Sequence, residues 1–401
     1  MTAIAEEPTR TEQKTITEVA GIVDLADGHG FLRTGGYRRG PTDIPITQSQ
    51  VRQHALRSGD HIAGTAAARQ DKPGQDKRGQ DKAGQGSQGR SRARQDMTLL
   101  TVESVNGRPA AEARNRPSFD DLTPVYPNQR FRLEDGDPSR TARIIDLVSP
   151  IGKGQRGLIV APPKAGKTTV LKTIAHAIAA AHPEVHLMLV LVGERPEEVT
   201  DLRRTVRGEV ISSTFDQSPS DHIKAAELAI ERAKRLAELG RDVVVMLDSL
   251  TRLGRAYNLA APASSRTLTG GVAAAALQPP RQFLGAARCL EEGGSLTILS
   301  TALIDTGSQL DNVLFEEFKG TGNMELRLRR DLAEKRLFPA IDPVPSGTRR
   351  EELLMNPEEH AAVVSLRRAL AALDSQHALE LLLDKTAAPN KQFLQQVSAA
   401  R

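Results

Sequence analysis

The chain has 401 residues, with 54 Lys and Arg against 50 Asp and Glu, one cysteine, no tryptophan and 3% aromatic residues. A lone cysteine, Cys289, excludes an intrachain disulfide and reads as a small buried hydrophobe. No apolar run is long enough to cross a bilayer, and the opening MTAIAEEPTRTEQKT mixes both charges without the apolar stretch of a secretory signal, so a cytoplasmic protein with no membrane partner is expected.

The length predicts two or three domains. A net charge of +4 leans basic, which permits a nucleic-acid partner without requiring one. Scarce aromatics keep any base-stacking platform small.

Residues 1–17 are polar and aperiodic and are expected to be a disordered tail. ITEVAGIVDLA then alternates as a strand, DGHGFLR turns into a second, and the sequence to residue 65 continues with short strands and turn signals. Close-spaced short strands predict a small barrel of the oligonucleotide-binding type over 18–107. Residues 66–96 interrupt it with the basic repeat QDKPG, QDKRG, QDKAG, which lacks the apolar surface to fold. The repeat reads as a spacer or as a loose tether for RNA phosphates. MTLLTVESVN supplies a closing strand, and 108–127 form a Pro-rich linker. From 128 to 401, apolar strands alternate with helical stretches, which predicts a mainly parallel α/β sheet.

The strongest chemical signal is GLIVAPPKAGKTTV. An apolar strand runs into a loop, then Gly166, Lys167 and Thr168, then a helix, the context that a phosphate-binding loop requires. Backbone N–H groups and the helix N-terminus face the phosphates. Lys167 reaches the β- and γ-phosphates, and the Thr168 hydroxyl ligates Mg²⁺. The generic pattern opens with Gly where this chain has Ala161. A second apolar strand, DVVVMLD, ends at Asp248, placed to hold Mg²⁺ partly through water. A third ends at Glu194 and Arg195. On spacing alone Glu194 reads equally as a carboxylate that polarises attacking water or as a helix N-terminal acid.

The ordered motifs APPKAGKT, GERPEEVTDL, LDSLTRLGRAYN, TLTGGV, FLGAAR, EEGGSLTILSTALIDTGS, FEEFKGTGNMEL, AEKRLFPAID and SGTRREELL together resemble the motor of the Rho termination factors. The likeness is nearly continuous from residue 128 to about 390 and looser over 18–65 and 97–106. It implies a RecA-like ATPase domain behind an RNA-binding barrel, assembled as a homohexameric ring with ATP between subunits. It also implies nascent single-stranded RNA as substrate and RNA polymerase as a partner.

By matching motifs, Lys164, Ala165, Gly166, Lys167, Thr168 and Thr169 line the phosphates, Glu194 is the catalytic carboxylate with Arg195 beside it, and Asp248 stands by Mg²⁺. Phe338 packs on adenine, and Arg349 is a finger supplied across the interface with Arg336 as a second arginine there. RNA contacts are implied at His29, Phe31, Arg33 and Tyr37 in the barrel. In two channel loops they are implied at Arg266, Thr269, Gly270 and Gly271, and at Gly307 and Ser308.

The chain departs from the family at several of these places. His29 replaces an aromatic, and Asp96 and Met97 replace an aromatic pair. Gly193 replaces an acid before Glu194, Ala273 replaces another acid, and Gln309 replaces a channel cation. The small helical domain that precedes the barrel in many family members is not expected here. Two readings follow. The first is an ATP-driven RNA translocase and helicase that ends transcription. The second is a related RNA-binding ring with weak or no ATPase, to which the departures point. A rotary ATP-synthase subunit, the third possibility, does not account for the barrel or for FKGTGNMEL and SGTRREELL.

Overall fold

The computed structural model describes residues 16–26, 29–68, 97–262, 264–268 and 270–399. Of the expected tail, 1–17, and the expected disordered repeat, 66–96, residues 1–15 and 69–96, with Asp96, lie outside the described residues, as does Thr269. The rest is corrected, because 16–17 belong to the strand Ile16–Ala26 and 66–68 to the strand His61–Ala68, where Ala66 and Ala67 are buried. The chain divides into two compact units, Met1–Arg116 and Pro117–Arg401.

The first unit is an antiparallel sheet in the order Ile44–Ile46, His29–Arg33, Ile16–Ala26, His61–Ala68, Met97–Val105, Arg108–Pro109. Its two-residue alternation puts Val23, Leu32, Ile44, Ile62, Leu99 and Val105 into one core. The sheet curls tightly. At Gly64 a Cβ would lie 2.0 Å from the Thr101 carbonyl oxygen, so only glycine allows that strand crossing. The reading of residues 42–64 as strands and turns is corrected in part, because Gln48–Gln53 is a helix. Thr47 and Gln50 form its capping box, a signal present in the sequence.

Residues 108–127, expected as linker, divide between the units. Ala110 and Ala113 are buried in the barrel core. Phe119 is buried in the second unit, where its N–H donates to Glu238 Oε1 at 2.8 Å.

The second unit is built on a sheet in the order Glu209–Thr214, His186–Glu194, Asp242–Asp248, Ser295–Leu303, Arg156–Ala161, Met324–Arg327, Gly347–Thr348. The first six are mutually parallel and Gly347–Thr348 is antiparallel to its neighbour. Parallel strands covered on both faces must be apolar throughout. His186–Glu194, Asp242–Asp248 and Ser295–Leu303 are buried almost end to end. Parallel order also brings the C-terminal tips of these strands to one edge, the place where such sheets bind ligands.

Candidate nucleotide and RNA sites

At that edge Arg156–Ala161 delivers the phosphate loop. Ala161 is the last strand residue, opposite Leu303, and its backbone is not left-handed, so the generic glycine is not required there. The turn instead uses Lys164 (φ 67°) and Gly166 (φ 88°), after which Lys167–Ala181 is helical. Left-handed backbone between extended and helical residues turns successive N–H groups into one concavity, an anion nest at a helix N-terminus. Ala165 is buried beneath the loop, while Lys164 and Thr169 are exposed and Lys167 and Thr168 half-exposed.

Behind the loop lie two buried carboxylates, Glu194 (3% exposed) and Asp248 (1%). Asp248 ends its strand, pairs with the Lys167 ammonium and accepts from Thr301 Oγ1 at 2.7 Å. Glu194 reaches inward because the strand bulges at Gly193 (φ 66°), where the register shifts. Its Oε1 lies 2.7 Å from Arg252 Nη1 and 3.5 Å from Lys167 Nζ. Neither contact is an aligned hydrogen bond, so this buried oxygen keeps its accepting capacity. Arg252 also donates to the Gly193 carbonyl. Burial first, then the nearby Asp248 charge, push the Glu194 pKa above the usual carboxylate range, and Lys167 and Arg252 oppose them. Two carboxylates facing two cations leave the cluster near neutral.

The remaining predicted residues fall in different places. Phe338, half-exposed, stands over the phosphate loop: a Cβ at Gly166 would lie 3.8 Å from its ring. Arg336, exposed with φ 61°, is on the same segment. Arg195 is exposed at the start of the helix Pro196–Thr205.

Arg349 is not among them. Its N–H donates to the Asn323 carbonyl, and Asn323 Oδ1 accepts from the N–H of Arg156, the first residue of the phosphate-loop strand. Six residues at about 3.3 Å rise separate the two ends of that strand. Arg349 therefore sits at the edge opposite its own phosphate loop, and the structure does not bring it together with Arg336.

The two loops expected to line a channel meet. A Cβ at Gly270 would lie 3.2 Å from the Gln309 carbonyl oxygen, whereas Gly271 and Gly307 face open space. Arg266 is exposed beside the short hairpin of Thr267–Leu268 with Val272–Ala273, and Ser308 caps the helix Gln309–Lys319. Both loops are tied to the helix Leu250–Ala260. Asn258 accepts from Ala273 N–H and donates to the Gly271 carbonyl, and Arg255 pairs with Asp311, which also accepts from Thr306.

In the barrel His29 is exposed and Phe31 half-buried, with the Arg33 and Arg39 guanidiniums 5.2 and 5.9 Å from its ring centroid. Arg33 and Tyr37 do not fit the expected picture of contact residues on the surface. Arg33 is buried between Asp24 and Asp43, and Tyr37 is buried as well. The exposed cations nearby are Arg38 and Arg39.

Two family models match the chain. The Rho termination factor RNA-binding domain covers residues 19–111, and the nucleotide-binding domain of the ATP synthase alpha/beta family covers 141–348. The transcription termination factor Rho of Streptosporangium roseum is 55% identical over 390 residues, covering 97% of this chain and 94% of that protein. The chain belongs to the Rho termination factor family. The Rho of Streptomyces lividans is 57% identical over 394 residues, covering 98% of this chain but only 53% of that longer protein.

Among solved structures, the assembled ATPase EscN with its central stalk EscO, from the type III secretion system of enteropathogenic E. coli, superposes with a TM-score of 0.55. It is 26% identical over 67% of this chain and 62% of that one. RecA-like ATPase architecture and a Rho RNA-binding domain are thus both present in this chain.

Sequence reasoning missed Arg252, Asn258 and Thr301. Arg252 and Asn258 lie inside the quoted motif LDSLTRLGRAYN, and Thr301 lies inside EEGGSLTILSTALIDTGS, on the strand paired with the phosphate-loop strand.

Proposed function

We propose that the protein is an RNA-stimulated ATPase that works as a homohexameric ring in the cytoplasm, drawing nascent single-stranded RNA through its centre 5′ to 3′ and dislodging RNA polymerase. RNA is captured first by the barrel, 18–107, and the work is done by the motor, 128–401. The observation that carries this reading is Glu194: a buried carboxylate with a free accepting oxygen, its charge balanced by Arg252 and Lys167, at the mouth of an anion nest.

In this reading Lys167 leaves Asp248 for the β- and γ-phosphates, and Lys164 and the N–H groups of residues 165–169 hold the phosphate tail. Phe338 packs against the base. Glu194 accepts a hydrogen bond from water and aims it at the γ-phosphorus. The new P–O bond forms as the β–γ anhydride bond breaks, giving ADP and inorganic phosphate.

Among the described residues no three His, Cys, Asp or Glu converge as a metal cage. The hard oxygens of Thr168 and Asp248 suit a Mg²⁺ that keeps phosphate and water ligands. Bound there, it would offset charge on the β- and γ-phosphate oxygens. Arg349, remote from its own loop, serves the nucleotide of the adjoining subunit, with Arg336 and Arg195 lining the same junction. Arg266, Thr269, Gly270, Gly271, Gly307 and Ser308 face RNA in the channel, and His29 and Phe31 receive it in the barrel.

The second reading, a ring that binds RNA with little hydrolysis, is favoured by one observation. The second channel loop, Asp305–Gln309, carries no cation. An ATPase assay with and without cytosine-rich RNA decides. Several-fold stimulation that is abolished by Lys167→Ala and Glu194→Gln supports the translocase. Tight RNA binding with flat turnover supports the second reading.

A further inference from the structure

A cavity of about 730 Å³ opens in the second unit, and none of its lining residues belongs to the nucleotide site. Its walls come from three stretches of the chain: 130–147, 356–363 and the C-terminal helix Asn390–Ala399. The volume is that of a small-molecule pocket, for which roughly 300–1,000 Å³ is usual. Its apolar lining includes Leu147, Val363 and Leu394, all buried.

Much of the charge on the walls is already engaged. Arg130 pairs with Asp146 and Glu359, Arg132 shares Glu359, and Glu134 accepts from Arg143 and from the Asn390 N–H. Among the described residues, three charged lining groups have no ion pair or side-chain hydrogen bond: the carboxylates of Asp135 and Glu358 and the ammonium of Lys391, all on exposed residues. Two buried lining residues are also incomplete. Asn390 donates to the Arg143 carbonyl, but its Oδ1 has no partner. Arg130 spends both Nη atoms on Glu359 and the Asp146 carbonyl, but its Nε has none. Asn390 is 7% exposed and the Arg130 side chain 6%. Polar atoms buried this deeply are costly to leave unpaired, so they mark a place that something completes.

The unmet groups specify the occupant. Asp135, Glu358 and Asn390 Oδ1 require cationic donors, whereas Lys391 and Arg130 Nε require an anionic acceptor. A metal ion answers only the first set, and among the described residues no three carboxylate, imidazole or thiol side chains converge on one point. A simple anion answers only the second. Five carboxylates on the walls outnumber three cations, so the occupant carries net positive charge, and the apolar lining suits a body of methylenes. An amino acid with a cationic side chain combines all of these features.

We infer that this cavity binds a basic amino acid of the lysine or arginine type. Its carboxylate is directed to Lys391 and Arg130, and its two cationic groups to Asp135, Glu358 and Asn390. The site depends neither on the ring nor on hydrolysis, so it stands or falls separately from the function proposed above.

The test is isothermal titration calorimetry on the full chain, without RNA or nucleotide and at fixed ionic strength. The probes are L-lysine, L-arginine, cadaverine (lysine without its carboxylate) and L-norleucine (lysine without its side-chain ammonium). Lysine or arginine is expected to saturate one site per chain, with cadaverine and norleucine at least about tenfold weaker. Asp135→Asn with Glu358→Gln should weaken the basic amino acid about tenfold, and Lys391→Met should weaken it roughly fivefold while leaving cadaverine unchanged. These side chains are exposed and unpaired, so both variants should melt as wild type does.

If neither basic amino acid saturates wild type, the inference fails. If cadaverine binds as tightly as lysine, there is no carboxylate seat, and if norleucine does, there is no cationic seat; either result overturns the ligand class. Wild-type affinity in both variants would place the binding elsewhere on the chain and overturn it too. Should a variant melt early, the four ligands on wild type still decide.

Discussion

Replacing Arg252 by Ala isolates what holds Glu194, the carboxylate proposed to act in hydrolysis. Its Nη1 lies 2.7 Å from Glu194 Oε1 and bonds the Gly193 carbonyl, so one guanidinium fixes both the side chain and the bulge that aims it. Stripping the partner from a fully buried ion pair costs about 3–5 kcal/mol. Here Arg252 is one-third exposed and Lys167 remains 3.5 Å away, which brings the expected loss of stability to about 1–2 kcal/mol. The loss in kcat should be larger, roughly 10- to 100-fold, because the ion pair to the base and the bond to the Gly193 carbonyl that fixes its bulge are lost together.

The pH dependence gives the mechanism away. Burial and Asp248 already raise the Glu194 pKa, and Arg252 opposes them, so its removal raises that pKa further. A base works ionised, so the acid limb of the kcat profile must move to higher pH in Arg252→Ala. For stability the sign is reversed. A carboxylate with a raised folded pKa favours the fold while protonated, and that contribution is lost as pH rises through the folded pKa. The variant's added instability should therefore vanish in acid and grow above the Glu194 pKa. The assay is kcat against pH for wild type, Arg252→Ala, Glu194→Gln and the double variant. If the Arg252 effect on kcat is undiminished in the Glu194→Gln background, the two residues are not coupled and the reasoning is wrong.

Four further outcomes are expected. Phe338→Ala removes one base stack, worth about 1–3 kcal/mol, and should weaken nucleotide binding with kcat nearly intact; a pure kcat effect in a fluorescent-nucleotide titration would exclude the stacking role. Phe31→Ala should weaken single-stranded RNA binding on a similar scale, about 1–3 kcal/mol, while leaving the slope of affinity against salt unchanged, because no phosphate contact is lost. Arg33→Met, in contrast, leaves Asp24 and Asp43 without their cation and should appear first in the melting curve of the barrel, not in the salt slope. Arg255→Ala strands the buried Asp311 carboxylate, costing about 1–3 kcal/mol in a denaturant titration, and should reduce RNA stimulation more than basal turnover.

The phosphate loop, both strand-tip carboxylates and the alternation of strand and helix were legible because they follow from local pattern: an apolar run, a Gly-Lys-Thr start, an acid at a buried tip. Three things were not. The ion pairing of Arg33 depends on Asp24 and Asp43, nine and ten residues away across a curled sheet, and no local signal separates a buried arginine from one awaiting phosphate. The part played by Arg252 depends on a bulge at Gly193 in another strand, visible only as a register shift. Gly193 was noted as a missing acid, whereas its left-handed backbone shows what glycine does there: it frees the turn and leaves room for Arg252, whose Cδ would lie 3.2 Å from an added Cβ. The short helix Gln48–Gln53 was overlooked although its capping box is written in TQSQ, because strand spacing dominated the reading of its surroundings.

The geometry joins the two chemistries through one element. Along Leu250–Ala260, Arg252 holds Glu194, Arg255 holds Asp311 at the foot of the loop 305–309, and Asn258 brackets the other loop proposed to face RNA at Gly271 and Ala273. Residues three apart are neighbours on a helix, so the three form a continuous row. The helix cannot easily slip against the next one. A Cβ at Gly254 would lie 2.9 Å from the Leu314 side chain of Gln309–Lys319, and packing that close transmits displacement rather than absorbing it. A shift of either loop therefore strains the Arg252 contact with Glu194, and a change of charge at Glu194 pulls on the same row from the other end. Ring ATPases need such a link within each subunit as well as a finger between subunits. In the proposed ring the two would come from opposite ends of the phosphate-loop strand, with Glu194 and Arg252 at one end and Arg349 at the other.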